Sequence, residues 1–277
     1  MQITIVAQNL NHGGLTPTDD GYKDRWPLIL DRIRSASRLP DVVLLCETMG
    51  WEFERHSRLA RAMRDLDMEA MPLPRGRSRD GTALLYRHKT MGRWLAWDDE
   101  YSSEMYHGFG VAAWDVGLPA PLSIASVHID PFRKYMPVDE ASMISTRALR
   151  NGPYAILAGD VNFPPPRGPE PLYKNMQPYN IASRTVLTDP SLGLAREPYR
   201  DVAWMLEATA FHDVAWEWYD RTGDDLALAR TASDDRVDQG WVTTPLLKSI
   251  TGYRVLDAPS GASDHLGFEF TLDLSLV

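Results

Sequence analysis

The sequence repeatedly places polar side chains directly after short apolar runs that have the length of a buried strand. The run Ile3 to Leu10 alternates β-branched and small residues and leads into Asn11 and His12, and the apolar run Asp41 to Cys46 delivers Glu47. Burying a carboxylate is costly unless it is paired or binds a cation. Strand ends of this kind therefore predict that several strands meet at one edge and build a polar site there.

Strand-like and helix-like patterns alternate along the chain. Trp26, Ile29, Leu30 and Ile33 share one helical face. Further helices are predicted at 53–66 and 141–150, and further strands at 81–86, 122–129, 154–158, 237–243 and 268–272. The apolar pattern Val202, Leu206, Phe211 and Val214 predicts one more helix, which would carry Trp204, Trp216 and Trp218. This alternation favours an α/β fold.

No repeat, charge block or linker divides the 277 residues. Apolar residues make up 44% and charged residues 24%, as in folded globular domains. We therefore predict one domain over residues 1–277, with a long surface excursion from Phe163 to Arg200.

The chain contains one cysteine, Cys46, which excludes an internal disulfide framework and a multi-cysteine zinc site. No apolar stretch is long enough to span a membrane, and the N-terminus lacks the features of a secretion signal. We expect a soluble, cytoplasmic protein with no membrane association, and no feature indicates an obligate protein partner. The net charge of −9 disfavours long-range attraction to nucleic acid without excluding it.

The polar residues at the strand ends share one chemical character, because all are acidic, amide or imidazole side chains. They are Asn9, Glu47, His128, Asp130, Asp160, Asn162, Asp238, Asp264 and His265. Such a set suggests a site where a metal ion assists the chemistry. Carboxylate and amide oxygens favour Mg²⁺, Mn²⁺ or Ca²⁺ over zinc.

Seven short blocks in a fixed order give the sequence a resemblance to a known superfamily. They are Gln8-Asn9, 40–47, 81–87, Val127-His128, 159–162, 236–238 and 263–265. Each block alone is weak, but together they resemble the endonuclease/exonuclease/phosphatase superfamily, typified by deoxyribonuclease I. The resemblance implies a four-layer α/β sandwich in which two mixed β-sheets pack face to face with helices on both outer faces.

The resemblance also implies roles for individual residues. Glu47 would bind Mg²⁺, or Mn²⁺ as a substitute, with Asn9 and Asp264 as ligands or orienting groups. Asp160 would orient or deprotonate the attacking water, Asn162 would stabilise charge on a phosphate oxygen, and Asp238 would hold His265. His128 would be the second imidazole, Asp130 would help with substrate or metal, and Asp80 is a candidate to orient His128.

These expectations describe a metal-dependent phosphoesterase that cleaves a phosphodiester, with water attacking phosphorus in line. One alternative is a phosphomonoesterase acting on a nucleotide or phosphorylated metabolite, and another is a catalytically silent binding module. Arg75, Arg77 and Arg79 form a basic loop, and Arg79 is our candidate for contacting substrate phosphate. The remaining histidines, His12, His56, His88, His107 and His212, have no place in the motifs, although His12 lies near Asn9.

Overall fold

The computed structural model describes residues 1–277 and contains two six-stranded sheets that pack face to face. A two-stranded hairpin, β2 (Leu15–Thr18) and β3 (Gly21–Asp24), stands apart from them. Both large sheets are mixed, because each contains one parallel pair among antiparallel neighbours.

The first sheet, called sheet I, joins the two ends of the chain. Its strands are β1 (Gln2–Asn9), β4 (Val42–Cys46), β5 (Glu69–Ala70), β6 (Thr82–Tyr86), β13 (Ile250–Leu256) and β14 (Gly267–Asp273), in the spatial order β13-β14-β1-β4-β6-β5. Strand β1 runs parallel to β4 and antiparallel to β14. Residues near the start of the chain are therefore held by residues more than 260 positions later, such as Gln2 opposite Asp273.

The second sheet, sheet II, is built from the middle of the chain. Its strands are β7 (Trp94–Asp98), β8 (Val111–Trp114), β9 (Leu122–His128), β10 (Tyr154–Asp160), β11 (Phe211–Asp213) and β12 (Asp238–Thr243), in the order β11-β12-β10-β9-β8-β7. The parallel pair is β9 and β10.

The helices are α1 (Asn11–Gly14), α2 (Trp26–Arg34), α3 (Ser57–Leu66), α4 (His88–Met91), α5 (Met136–Ala148), α6 (Pro178–Arg184), α7 (Asp201–Ala208) and α8 (Val214–Thr222). Of these, α2 and α3 cover the outer face of sheet I, and α5 and α7 cover the outer face of sheet II. The predicted four-layer sandwich is confirmed.

Alternation along each strand distributes the core over three clusters. Ile3, Ile5 and Ala7 of β1 point between the sheets into a cluster of 27 buried residues. Val6 points outward and packs with α2 and α3 in a cluster of 17, while α5 and α7 cover sheet II with a cluster of 19. Opposite faces of one strand thus serve two cores, which is why these strands are apolar almost throughout.

The helix predicted across Val202 to Val214 is wrong, because the structure divides this segment. Helix α7 ends at Ala208, Ala210 takes a left-handed φ of 66°, and Phe211 begins β11, where it pairs with Thr243 of β12. The four apolar residues whose spacing suggested one helix therefore belong to three elements: Val202 and Leu206 to α7, Phe211 to the edge strand β11, and Val214 to α8. Pairing to the sheet, a nonlocal interaction, overrides the local pattern here.

The predicted excursion at 163–200 carries α6 and folds back onto the molecule. Arg184 and Thr185 of this segment are buried, and Thr185 forms an isolated bridge with Pro198. None of the helices combines the length and the apolar character that crossing a bilayer requires.

Candidate active site

The register of sheet II places three candidate residues side by side. Asp160 at the end of β10 lies opposite His128 of β9 on one side and Asp238 of β12 on the other. Residues in register on neighbouring strands point to the same face, so the three side chains converge. Asp160 is buried, and burial together with the nearby Asp238 raises its pKa to about 7.

A glycine brings Asp160 close to sheet I. Gly159 has a φ of 145°, and a Cβ there would lie 2.1 Å from the Val127 carbonyl oxygen and 2.8 Å from Cys46 Sγ. The Cys46 thiol donates to the Val127 carbonyl over 3.0 Å, and the Asp160 amide donates to Cys46 Sγ over 3.4 Å. The position therefore requires glycine, and the thiol links the two sheets directly beneath the site.

Asn9 connects the carboxylates contributed by the two sheets. Its Nδ2 donates to Glu47 Oε1 over 3.1 Å and to Asp160 Oδ2 over 3.0 Å, while its Oδ1 accepts from the Asn11 amide over 2.9 Å. An amide between two carboxylates presents its NH₂ group to both, so Asn9 orients them. Glu47 takes a left-handed φ of 55°, and its second oxygen accepts the His12 amide over 2.8 Å.

His265 and Asp238 form a tight pair. His265 Nδ1 lies 2.7 Å from Asp238 Oδ2 and 3.9 Å from Asp160 Oδ2. Burial lowers the pKa of His265, but the two carboxylates more than offset this effect and raise its pKa to about 10. The imidazolium form is therefore favoured at neutral pH, and its Nε2 carries a proton.

His128 has the opposite electrostatic environment. Its Nδ1 contacts the Asp80 carbonyl oxygen over 3.3 Å, and its Nε2 lies 3.9 Å from Asp160 Oδ2. Burial lowers its pKa to about 3, so the neutral imidazole is favoured. The contact from Asp80 is made by its main chain, whereas the sequence had suggested its carboxylate.

His107 lies flat against His128. The two rings are parallel within 7°, with centroids 3.5 Å apart. His107 Nδ1 lies 2.8 Å from the same Asp80 carbonyl and 2.8 Å from Ser78 Oγ, and burial followed by the neighbouring His128 lowers its pKa to about 2. A carbonyl accepts only donated protons, so both Nδ1 atoms carry one and both Nε2 atoms are left as acceptors.

Asn162 is fixed by contacts on both ends of its amide. Its Nδ2 donates to the Ile129 carbonyl over 2.9 Å, its Oδ1 accepts from the buried Arg184 over 3.1 Å, and its main chain has a left-handed φ of 62°. The Asn162 amide nitrogen also donates to Asp160 Oδ1 over 2.9 Å. One hydrogen of the side-chain NH₂ remains free to donate.

Potential metal-binding atoms overlap along the site. Three groups have side-chain ligand atoms that lie within 4.8 Å of one another: His12, Glu47 and Asp80; Glu47, His128 and Asp160; and Asp160, Asp238 and His265. Asp80 Oδ1 is buried without a partner, and burial and the nearby Glu47 raise the pKa of Asp80. Closely spaced carboxylates with an unpartnered oxygen fit a hard divalent cation such as Mg²⁺, so the residues present suit the implied ion.

Besides Asn9 and Asn162, three predicted residues lie outside these groups. Asp130 is 0% exposed, and its carboxylate accepts from the Phe132 and Arg133 amides and from the Arg133 guanidinium, so it shapes its own loop. Asp264 is exposed and accepts a hydrogen bond from the Ser263 hydroxyl over 3.3 Å. Arg79 is exposed beside a neighbouring cavity. Their direct contacts with metal or substrate stay predictions.

Helix α2 supports the loop that carries His265. Arg32 is buried and donates to the His265 carbonyl over 2.6 Å and to the Pro259 carbonyl over 2.9 Å. Arg25, just before the helix, donates to the Ala262 carbonyl over 2.6 Å. These two guanidinium groups hold the 257–265 loop against sheet I.

Sequence reasoning missed His107, Arg184 and Arg32. None stands next to a motif, and His107 was set aside among histidines without a role. No local pattern distinguishes these residues, because Arg32 lies at the flank of the apolar face formed by Trp26, Ile29, Leu30 and Ile33, and only the structure shows that it is buried.

Comparison with solved structures gives full-length matches at low sequence identity. The chain is similar to the 3′ phosphatase NExo from Neisseria bound to product DNA hairpin (TM-score 0.66, 13% identity, 98% of this chain and 99% of that one). It is also similar to TDP2 from D. rerio complexed with single-strand DNA product (TM-score 0.62, 15% identity, 98% of this chain and 99% of that one). A third similar structure is an AP endonuclease from Archaeoglobus fulgidus (TM-score 0.61, 14% identity, 98% of this chain and 100% of that one).

The chain has the deoxyribonuclease I-like fold. The resemblance inferred from the seven sequence blocks is thus confirmed at the level of the fold. No protein-family model and no curated protein sequence matches the chain. In this deoxyribonuclease I-like molecule, Asn9, Glu47, His128, Asp160 and Asp238 all stand at or directly beyond strand ends of the two sheets.

Proposed function

We propose that the chain is a divalent-metal-dependent hydrolase of phosphate esters, with a phosphodiester as its first substrate class. The observation that carries this proposal is the position of Asp160. One of its oxygens lies 3.0 Å from Asn9 Nδ2 and 3.9 Å from each of His128 Nε2 and His265 Nδ1. A carboxylate surrounded by an amide and two imidazoles of unlike protonation suits proton transfer from water next to a phosphate.

Glu47 and Asp80 would hold the metal ion, and we propose Mg²⁺ with Mn²⁺ as a substitute. Asn9 would orient the carboxylates, and Asp264 would complete the ligand set from the adjacent loop. The ion would supply Lewis-acid stabilisation of the charge on the phosphate oxygens.

The different protonation states of the site residues suit them to different roles in the reaction. Asp160, with a pKa near 7, would accept the proton of the attacking water. His265, kept protonated by Asp238, would donate from Nε2 to a phosphate oxygen, and Asn162 would donate its free amide hydrogen. His128, held neutral, would take or return a proton at Nε2. Preorganised donors of this kind stabilise the charge that develops as water attacks in line.

A phosphomonoesterase is the second candidate, and one neighbour supports it. NExo is described as a 3′ phosphatase, whereas TDP2 and the AP endonuclease represent other reactions on the same fold. NExo and TDP2 are described with DNA product, which supports a phosphate-ester substrate for this chain. We further propose that residues 1–277 act as one catalytic domain without an obligate protein partner, and the unpaired, buried Cys46 supports a cytoplasmic location.

Turnover across a panel of phosphate esters tests the proposal. The panel comprises supercoiled DNA, single-stranded RNA, bis-p-nitrophenyl phosphate, and nucleotide and sugar monophosphates, each with Mg²⁺ or with EDTA. Asp160→Asn is expected to lower kcat by about a hundredfold or more, because the proton acceptor is lost. Asp19→Asn makes the same change at an exposed position and is expected to leave kcat unchanged.

The outcomes separate the candidates. Metal-dependent cleavage of diesters that disappears in Asp160→Asn establishes the phosphodiesterase. If phosphate is released from monoesters and no diester is cleaved, the protein is a phosphomonoesterase. Absence of metal-dependent turnover on every ester would overturn both and leave a catalytically silent binding module.

A further inference from the structure

A cavity of about 1010 Å³ opens beside the candidate active site. Its walls come from α3, from residues 70–81 and from Trp94 at the start of β7. Thr48 and Gly81 line it, and they directly follow Glu47 and Asp80 in the chain. The cavity is therefore adjacent to the candidate metal carboxylates, although none of the catalytic candidates lines it. Ligand pockets usually have volumes of about 300–1,000 Å³, so the space suits a nucleotide-sized ligand or a larger one.

The lining combines exposed aromatic rings with unpaired positive charge. Phe53 is 57% exposed and Trp94 40% exposed, so both rings are accessible from the cavity. Arg75 and Arg79 also line the cavity, and neither guanidinium has a carboxylate within 4.0 Å or a hydrogen-bond acceptor. In a chain with 38 acidic and 29 basic residues, two unpaired arginines at one opening indicate an anionic ligand.

The loop that carries these arginines is held rigidly. The Arg77 amide donates to the Met105 carbonyl over 3.0 Å, the Ser78 amide to the Tyr106 carbonyl over 2.6 Å, and Ser102 Oγ to the Arg75 carbonyl over 2.8 Å. A Cβ on Gly76 would lie 2.3 Å from the Gly108 amide nitrogen. The loop is thus pinned to the segment that bears His107, and the main chain that carries Arg75 and Arg79 keeps a fixed relation to the site.

We propose that this cavity binds one nucleotide unit of a single-stranded nucleic-acid substrate, next to the phosphate that is cleaved. The base would pack against Phe53 and Trp94, and the phosphate attached to it would pair with Arg75 and Arg79. Aromatic rings beside guanidinium groups are the usual means of binding single strands without sequence preference. An alkyl chain would leave both arginines unpaired. The assignment rests on the proposed function for the place of the scissile phosphate, but binding itself requires no hydrolysis.

Binding to the Asp160→Asn protein tests the proposal without turnover. Fluorescence anisotropy of a short fluorescein-labelled oligothymidylate gives Kd for the full chain in Mg²⁺. On this background Arg79→Ser and Trp94→Ser are each expected to raise Kd by about tenfold, since one charged contact or one stacking contact is lost.

Two matched variants serve as controls. Arg77→Ser removes the same charge from the same loop, but Arg77 does not line the cavity. Leu95→Ser truncates the 57% exposed neighbour of Trp94, and Leu95 does not line the cavity either. Both are expected to leave Kd within about twofold, and thermal unfolding of each variant checks that it folds.

The proposal is overturned if Arg77→Ser weakens binding as much as Arg79→Ser, since the effect would then be general charge attraction. Absence of oligonucleotide binding also overturns it. Failure of the proposed function is seen separately, as binding without hydrolysis of any ester. A nucleoside 5′-p-nitrophenyl phosphate with kcat/KM no higher than that of methyl p-nitrophenyl phosphate, which has the same leaving group, would also contradict it.

Discussion

At the scale of single residues, the site depends on two imidazoles whose protonation states are driven apart. His265 faces two carboxylates, and His128 faces a carbonyl and the ring of His107. Both rings lie 3.9 Å from the Asp160 carboxylate, but the charge lies on His265, which also has the Asp238 carboxylate 2.7 Å from its Nδ1. His128 is buried and the His265 side chain is only 15% exposed, so the difference comes from neighbouring groups rather than from solvent access.

We predict that His265 stays protonated at neutral pH because of the carboxylates beside it. With a pKa raised to about 10, its imidazolium persists at neutral pH and contributes stability that is complete below pH 6.5 and is lost as pH rises through about 10. Asp238→Asn removes the main stabilising charge while burial remains, so the pKa is expected to fall toward 6.5 or below. Nitrogen-15 NMR of the metal-free protein measures it, with His265→Gln for assignment. A wild-type titration between pH 6 and 7 would contradict the assignment.

At the scale of elements, an arginine of α2 fixes the loop that follows β13. We expect Arg32→Met to lower the free energy of unfolding by about 2–4 kcal/mol, because two partly buried carbonyls lose a charged donor. Arg34→Met on the same helix removes an exposed hydrogen bond and is expected to change it by less than about 0.5 kcal/mol. Urea unfolding measures both variants. Equal effects would show that the 257–265 loop does not depend on Arg32.

The sequence predicts strand ends better than strand neighbours. Strands β1, β4, β9 and β10 are apolar on both faces and lead into polar residues, so pattern alone locates them. The edge strand β7 and the hairpin β2–β3 are largely exposed and lack such a signal. The break at Ala210 was missed because alanine rarely takes a left-handed φ, and pairing of Phe211 with β12 imposes it.

The residues of the candidate site likewise fall into those that the sequence predicts and those that only the structure reveals. Asn9, Glu47, His128, Asp160 and Asp238 could be proposed from sequence because each ends or follows a strand. The stacking of His107 on His128 depends on the path of the 99–110 loop, which no local pattern encodes. Arg184 likewise reaches Asn162 from a distant segment. Local periodicity predicts which element a side chain stands on, and only the packed structure shows what it contacts.

At the scale of the whole molecule, the two sheets approach closely at Gly159. Gly159→Ala is expected to lower the free energy of unfolding by about 3 kcal/mol or more, because the methyl group has no room and φ is unfavourable for alanine. Gly21→Ala has a comparable φ of 133° but meets nothing within 4 Å, so only the smaller backbone cost is expected.

Urea unfolding of both glycine variants measures the difference. Gly159→Ala is also expected to reduce phosphoesterase activity, because any shift there moves Asp160. Equal losses of stability in the two variants would mean that the contact between Gly159, Val127 and Cys46 does not set the separation of the sheets.

The pairing of β1 with β14 has a consequence for the order of events during synthesis. Strand β1 is synthesised first, and one of its partners, β4, follows soon after it. Its other partner, β14, comprises residues 267–273 and is synthesised almost last. Contacts so distant in sequence form slowly. A nascent chain that stops before residue 265 also lacks His265, so a ribosome-bound or prematurely terminated product would carry Glu47 and Asp160 without a complete site. The long-range pairing thus delays the assembly of a reactive centre until nearly all of these residues have been translated.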